Sequence, residues 1–287
     1  MEKQGKSKER IDTLLVQRGF FSSREQAKRA IMAGLVFSQS ERIDKPGTKV
    51  PLDIPITVKG EPAPYVSRGG LKLEKAIQSF KLKLNGKVVV DVGASTGGFT
   101  DCALKHGARL VYAVDVGYGQ LDWSLRNDPR VVVMERTNFR YVKAEQFTLG
   151  QPDFACVDVS FISLRLIFPV LLTVLKPGSE AVVLVKPQFE AGKEEVGKKG
   201  VVKNPHTHQW VLNRVSQAAQ ETGFSLRNLD YSPFTGAEGN IEFLLHLSVD
   251  PRPGLSAPFE EEKWQSLIKT VVADAHRTLL ARQANNP

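Results

Sequence analysis

The stretch Val88-Val-Val-Asp91-Val-Gly93-Ala-Ser-Thr-Gly97-Gly98-Phe-Thr100 decides how the rest of the chain is read. Val88 to Val90 and Val92 form a β-branched run of the kind found in a parallel strand covered on both faces. Asp91 interrupts it, and a carboxylate inside a buried strand needs a partner. Gly93, Gly97 and Gly98 permit a tight strand-to-helix turn that lets backbone approach a ligand, with the amides of a helix starting near Gly98 pointing into the same crevice. Spacing tests two nucleotide fingerprints against this turn. The dinucleotide pattern G-x-G-x-x-G fails, because three residues separate Gly93 from Gly97. The phosphate loop G-x-x-x-x-G-K-[ST] fails too, because Phe99 stands where the cation is needed. An ordinary structural turn stays open at this point.

Working outward, Leu110-Val-Tyr-Ala-Val-Asp115 repeats the strand pattern one βα unit downstream. Asp115 falls near the ~20-residue offset at which such sheets place an acid for ribose hydroxyls, and a carboxylate can accept two hydroxyls in fork geometry. A helix is predicted over about 99–106, a third strand over Val131–Met134 and a fourth over 153–157. A fifth strand over Ala181–Val185, a helix over 206–222, strands over 225–231 and 241–247, and a last amphipathic helix over 259–283 follow. Strands alternating with helices predict an α/β fold with a mostly parallel sheet covered on both sides. Residues 190–204 have no period and contain four lysines, and are expected to form a mobile loop at the rim of a site. Asp115, Asp158 and Lys186 all fall at carboxyl ends of predicted strands, where open α/β sheets bind ligands.

The first 60 residues read as a separate unit. They carry 12 Lys or Arg against 7 Asp or Glu, five of the chain's eight net positive charges. Ile11, Leu14 and Leu15 before Gly19 predict a short helix. Ser22-Ser-Arg-Glu25 predicts a capping box opening a second helix, in which Arg24 and Lys28 share a face with Arg29 beside it. Leu35–Phe37 and Ile54–Val58 supply short strands. Glu61-Pro-Ala-Pro-Tyr-Val66 reads as a stiff linker, giving an expected division into 1–60, 61–66 and 67–287.

The remaining composition narrows the classes. A hydrophobic share of 41% and a charged share of 24% are those of a globular protein, and the +8 charge points to a polyanionic partner. Cys102 and Cys156 sit in apolar patterns and are expected as buried free thiols, which suits a reducing cytoplasm, and no zinc-site spacing is present. The N-terminal segment lacks the apolar core of a signal peptide. The longest apolar run, Leu166–Leu175, contains Pro169 and is far short of the ~20 residues of a membrane span.

Beside these readings stand resemblances. Asp91-x-Gly93-x-x-x-Gly97-Gly98 resembles the first motif of Rossmann-like methyltransferases that use S-adenosylmethionine. The pattern Arg10-Ile-Asp12, then Ser23-Arg24-x-x-Ala27-x-x-x-Ile31-x-x-Gly34-x-Val36, resembles the small α+β RNA-binding domain first described in ribosomal protein S4. Lys72, Asp158, Lys186 and Glu242 together resemble the Lys-Asp-Lys-Glu tetrad of FtsJ-type ribose 2′-O-methyltransferases. With Ser67-Arg-Gly-Gly-x-Lys72, Asp158-Val-Ser-Phe-Ile-Ser163, Lys186-Pro-Gln-Phe-Glu190 and Gly239-Asn-x-Glu242, nearly the whole chain is similar to the TlyA family, often labelled hemolysins. Some members carry Arg-x-Trp in the linker, where this chain has Ala63-Pro-Tyr65.

The resemblance implies a class I methyltransferase sheet behind an S4-like domain, S-adenosyl-L-methionine as cofactor, and ribosomal RNA or ribosomal subunits as partner. It implies catalytic roles for Lys72, Asp158, Lys186 and Glu242. Cofactor contacts would fall on Asp91, Gly93, Ser95, Thr96, Gly97, Gly98, Phe99, Asp115, Asn138 and Asp158, and RNA contacts on Arg10, Arg18, Arg24 and Lys28. The expected reaction is methyl transfer to a ribose 2′-hydroxyl, of cytidine in this family, with no metal needed because a sulfonium already activates the methyl. Two alternatives stand against it: a membrane-active hemolysin, and an RNA-binding ribosome assembly factor without catalysis.

Overall fold

The computed structural model describes residues 7–21, 23–32, 34–59, 64–197, 199–236, 238–250 and 259–280. The chain divides into two units, Met1–Val66 and Ser67–Pro287.

In the first unit, β1 (Lys8–Arg10) runs into α1 (Ile11–Gln17), followed by α2 (Arg24–Met32), β2 (Val36–Ser38), β3 (Glu41–Arg42), β4 (Lys49–Pro51) and β5 (Thr57–Val58). Strand β1 pairs antiparallel with β4, and β2 lies between β3 and β5. Ile11, Leu14 and Leu15 from α1 meet Ala27, Ala30 and Ile31 from α2 over Val36, all buried. These apolar positions recur at the three- and four-residue spacing of one helix face, so burial of that stripe selects the helices. The cap of α2 differs from expectation: Ser23 Oγ accepts from the Gln26 amide at 3.3 Å, and Ser22 lies outside the described residues. The last strand begins only at Thr57, since Pro55 has no N–H to give a ladder and the Ile54 carbonyl is taken by Arg18.

The second unit contains α3 (Gly70–Phe80), β6 (Val88–Val92), α4 (Gly98–Lys105), β7 (Leu110–Val114), α5 (Trp123–Arg126), β8 (Val131–Met134) and β9 (Phe154–Val157). Then come α6 (Phe168–Val174), β10 (Glu180–Val185), α7 (Pro187–Glu190), α8 (Pro205–Thr222), β11 (Phe224–Tyr231), β12 (Phe243–Val249) and α9 (Glu261–Ala275), which continues into a π-helical turn, His276–Leu280. The sheet order is β11-β12-β10-β9-β6-β7-β8, with β12 antiparallel to both neighbours. Strand β6 is buried at every position and lies between β7 and β9, which explains its unbroken valine run. Phe168 and Leu171 of α6, Val211 and Val215 of α8 and Ile268 and Val272 of α9 share one core with Val88, Val90 and Val92. Helices α3 and α4 pack together, with α4 against β6 and β7.

Two expectations shift. The final strand starts at Phe243 rather than Ile241, because the Asn240 and Glu242 carbonyls accept from Gly236 and Ser232 in the preceding turn. The 190–204 segment is not structureless: α7 ends at Glu190, Lys193–Glu195 form a 3₁₀ turn, and Val202 is buried. The Val202 amide donates to Asn240 Oδ1 at 2.9 Å, and its carbonyl meets His208 Nε2 at 3.2 Å.

Candidate active site at the strand ends

Strand register brings the four tetrad candidates together. Val185 pairs with Phe243, so Lys186, just past β10, and Glu242, just before β12, emerge at the same end of adjacent strands. Pro187 at the first turn of α7 cannot extend the strand ladder and suits a helix start, so the strand stops at Lys186. Asp158 follows β9 on the other side of β10, its amide held by the Val92 carbonyl at 2.9 Å. Lys72 comes from the first turn of α3.

The side chains form a chain of alternating charge. Glu242 Oε2 lies 2.7 Å from Lys72 Nζ, Lys72 Nζ lies 3.5 Å from Asp158 Oδ2, and Asp158 Oδ1 lies 2.5 Å from Lys186 Nζ. Lys72, Lys186 and Glu242 are all buried. Burial disfavours the Lys72 ammonium, but Asp158 and Glu242 outweigh it and hold its pKa above the ordinary lysine value. Lys72 is therefore held as a fixed positive charge between the two carboxylates. Lys186 Nζ also donates to Ser160 Oγ at 2.9 Å. Glu242 can turn toward Lys72 because residue 236 is glycine: a Cβ there would stand 2.6 Å from Glu242 Oε1.

Beside the tetrad a cleft of about 430 Å³ opens over the carboxyl ends of β6, β7 and β9, lined by Gly93, Ser95, Asp115, Asn138, Asp158 and Phe161 among others. Asp115 Oδ2 accepts from the Ser95 amide at 2.7 Å and Oδ1 from the Gly117 amide at 2.6 Å. Each oxygen keeps a second lone pair for a hydroxyl. Asn138 Oδ1 accepts from the Arg140 amide and Nε at 3.2 and 3.3 Å.

Other residues of the glycine turn have a different placement. The partner that Asp91 requires is Thr100, whose hydroxyl donates to Oδ2 at 2.6 Å; Asp91 is wholly buried, which pushes its carboxyl up to about 7. Gly93, at φ +87°, backs onto the chain itself, since a Cβ would lie 2.4 Å from the Asp158 carbonyl oxygen. A Cβ on Gly97 would strike Leu125 at 2.3 Å, and one on Gly98 would strike Ser67 Oγ at 2.4 Å. The Thr96 carbonyl accepts from Asp122, and Phe99 is buried on α4. Thr96, Gly97, Gly98, Phe99 and Asp91 thus shape the turn and do not line the cleft.

In the first unit the four cations singled out in the sequence are engaged within the chain. Arg10 and Arg24 converge on Asp12 at 2.9 and 3.0 Å, while their own side chains stay about half exposed. Asp12 is fully buried; the hydrogen bonds from Arg10, with Arg24 adding, overcome burial and hold its carboxyl far below the usual range. Arg18 donates to the Ile54 and Leu52 carbonyls, and Lys28 pairs with Glu25 at 2.6 Å. Asp12 was visible in the quoted motif, but only folding shows it as the anchor for two arginines.

Sequence reasoning passed over Ser160, Gln120 and Phe161. Gln120 Oε1 accepts from Ser95 Oγ at 3.2 Å beside Asp115. Phe161, 91% exposed with φ +62°, rests its ring on Phe189 at 4.9 Å. Its place within Asp158-Val-Ser-Phe161 was the available signal. Cys102 and Cys156 are buried thiols outside any disulfide, as expected. Among the described residues no helix is long and apolar enough to cross a membrane.

Comparison with known proteins supplies the family. Residues 65–249 match the FtsJ-like methyltransferase family and residues 9–53 match the S4 domain. The chain is 57% identical, over 98% of both sequences, to YqxC of Bacillus subtilis, provisionally named an rRNA methyltransferase. It is 44% identical to the Mycobacterium tuberculosis 16S/23S rRNA (cytidine-2′-O)-methyltransferase TlyA, covering 86% of this chain and 92% of that one. A solved structure from Streptococcus thermophilus, provisionally named a hemolysin, is 49% identical with a TM-score of 0.74, covering 98% of this chain and all of that one. With a matched methyltransferase region, a matched S4 region and full-length relatives of the same build, the chain is a member of the TlyA group of FtsJ-like methyltransferases.

Proposed function

We propose that this protein transfers a methyl group from S-adenosylmethionine to a ribose 2′-hydroxyl of ribosomal RNA, at cytidine as in its named relative. The observation that carries the reading is the Glu242–Lys72–Asp158–Lys186 chain, side by side with a cleft whose acid, Asp115, retains free lone pairs. The cleft volume lies in the range of about 300–1,000 Å³ typical of small-molecule sites. Asp115 would accept the ribose hydroxyls of the cofactor and Asn138 would meet its adenine. When bound, the cofactor supplies a methyl already activated by a sulfonium.

The chain's own residues then have an oxygen to orient and a proton to move. Lys186 accepts the proton of the attacking hydroxyl or stabilises the developing alkoxide, with Asp158 and Ser160 holding its Nζ in place. Lys72, kept cationic between Asp158 and Glu242, supports negative charge growing on the oxygen. Holding these groups in one geometry supplies the orientation component of the rate. Residues 1–60 act as the RNA-binding domain, with the exposed parts of Arg10 and Arg24 toward phosphates, 61–66 as linker, and 67–287 as the methyltransferase domain. The test is transfer of tritiated methyl from S-adenosylmethionine to ribosomal RNA. Wild-type protein should label 2′-oxygens, and Lys186→Ala should abolish labelling while binding the cofactor normally in calorimetry. Full activity of Lys186→Ala would refute the assignment, and an inactive wild type that binds no cofactor would favour an assembly factor.

A further inference from the structure

Glu190 closes the motif Lys186-Pro-Gln-Phe-Glu190 and reaches across to the neighbouring strand end, where each of its carboxylate oxygens accepts a hydrogen bond. Oε2 accepts from Ser163 Oγ at 2.7 Å and Oε1 from the Leu164 amide at 2.7 Å. Ser163 caps the 3₁₀ turn Leu164–Leu166, its oxygen accepting from the Arg165 amide at 3.3 Å, so Glu190 grips the start of that turn. The segment so gripped begins at Asp158, whose amide is fixed to Val92 at 2.9 Å. Between the two anchors lie Ser160, bonded to Lys186, and Phe161, in a left-handed conformation that a bulky side chain adopts only when its surroundings impose it.

The segment is thus held at its start by β6 and at its end by Glu190, with the Lys186–Asp158 and Lys186–Ser160 contacts in between. Lys186 and Glu190 stand at opposite ends of one four-residue helix, so α7 fixes the Asp158 segment through both. Burial raises the Glu190 pKa even though the Leu164 amide and Ser163 hydroxyl favour its charged form, so the carboxylate sits there at a cost that its two hydrogen bonds offset.

We propose that Glu190 is a positioning residue for methyl transfer: acting through Ser163 and Leu164, it sets where Asp158 and Ser160 meet Lys186. The inference rests on the methyltransferase reading above. Displacing the segment by an ångström separates the acid from the lysine; it also shifts the wall of the cofactor cleft that Asp158 and Phe161 form, but leaves Asp115 and Asn138 on other strand ends in place, and misplacement of that size costs about 100-fold in rate.

The full-length chain, ribosomal RNA and S-adenosylmethionine suffice for the test. Glu190→Ala should lower kcat by about 10- to 100-fold, with the calorimetric Kd for S-adenosylmethionine weakened by clearly less than kcat, because the acid and lysine must meet in the reacting geometry while Asp115 and Asn138 still hold the ligand. Ser163→Ala should lose less, and Glu190→Ala/Ser163→Ala should be no worse than Glu190→Ala, since Ser163 acts through the same carboxylate. Should Glu190→Ala fail to fold, Glu190→Gln keeps the volume and one acceptor oxygen, and its kcat should fall below that of wild type. Wild-type kcat in Glu190→Ala or in Glu190→Gln, penalties that multiply in the double variant, or cofactor affinity falling as steeply as kcat would each overturn the inference. A wild type that transfers no methyl would instead bring down the methyltransferase reading, and this inference with it.

Discussion

Asp158 pairs with both Lys72 and Lys186, so Asp158→Asn is the most informative single change. It preserves shape and removes the negative charge that Lys72 and Lys186 share. At the observed separations of 3.5 and 2.5 Å, the two attractions amount to about 5 and 7 kcal/mol at an effective dielectric of about 20. Most of that is balanced by the cost of desolvating three charged groups, and breaking a buried pair by removing one partner costs about 3–5 kcal/mol net. The Asp158 side chain is 20% exposed, which places the expected loss near the low end, about 3 kcal/mol. For a unit of this size, about 2–4 °C of Tm is lost per kcal/mol, so the melting temperature should fall by about 6–12 °C.

The pH of that measurement follows from the sign of the Lys72 shift. Its pKa is raised in the folded state, so its stabilising contribution is complete below the ordinary value of 10.5 and is lost only as pH rises through the higher folded value. Melting should therefore be compared near pH 8, well inside the plateau. In the methyl-transfer assay kcat should drop by about 100-fold or more, as Lys186 loses the group that aims it. An Asp158→Asn protein with wild-type turnover, or with a Tm within 2 °C of wild type by roughly the same conversion, would refute the account of the tetrad as a coupled unit.

Further outcomes follow from other parts of the structure. Gly93→Ala places a methyl 2.4 Å from the Asp158 carbonyl oxygen at φ +87°, so it should destabilise the protein by about 1–3 kcal/mol for the backbone alone and weaken cofactor binding; a wild-type Tm by calorimetry would contradict this. The double variant Arg10→Ala/Arg24→Ala should weaken ribosomal RNA binding and flatten the logarithmic salt dependence by about one unit per lost phosphate contact, whereas Arg18→Ala, whose donors serve the chain, should leave the slope unchanged in filter binding. His208 is buried among Phe243, Val202 and His276, and burial lowers its pKa from 6.5 to about 4. The stability of keeping it neutral is present above pH 6.5 and lost as pH falls toward 4. Between pH 6.5 and 5 it should cost the protein about 2 kcal/mol, which His208→Gln should not show; parallel Tm-against-pH curves for the two would sink the assignment.

The sequence alone determined the strand-and-turn architecture, the division into a basic N-terminal unit and an α/β unit, and the residue types at the strand ends. Periodicity and glycine placement report on local backbone preference, and those preferences agree with the fold: the valine run of β6 is covered on both faces, and Lys186 lies at the end of β10 where Pro187 halts the strand. The family motifs also marked the four tetrad residues, although nothing local in Lys72 or Glu242 identifies either as the other's partner. That pairing required the antiparallel register of β12 against β10 and the packing of α3, which depend on burial summed over the whole sheet.

Only the tertiary structure decided what each small or charged residue faces. Gly93, Gly97 and Gly98 fit a ligand cradle and a tight self-contact equally well as letters, and the neighbouring Asp158, Leu125 and Ser67 fill the space their missing Cβ atoms leave. Arg18 and Arg24 carry the same charge in the same small unit, yet one closes a loop onto carbonyls while the other shares a buried aspartate and keeps half its surface in water. The physical reason is common to all of these. A side chain's chemistry is written in its residue type, but its partner is whatever the packed chain brings within about 3 Å, and distant segments meet only after the core has fixed strand order and register.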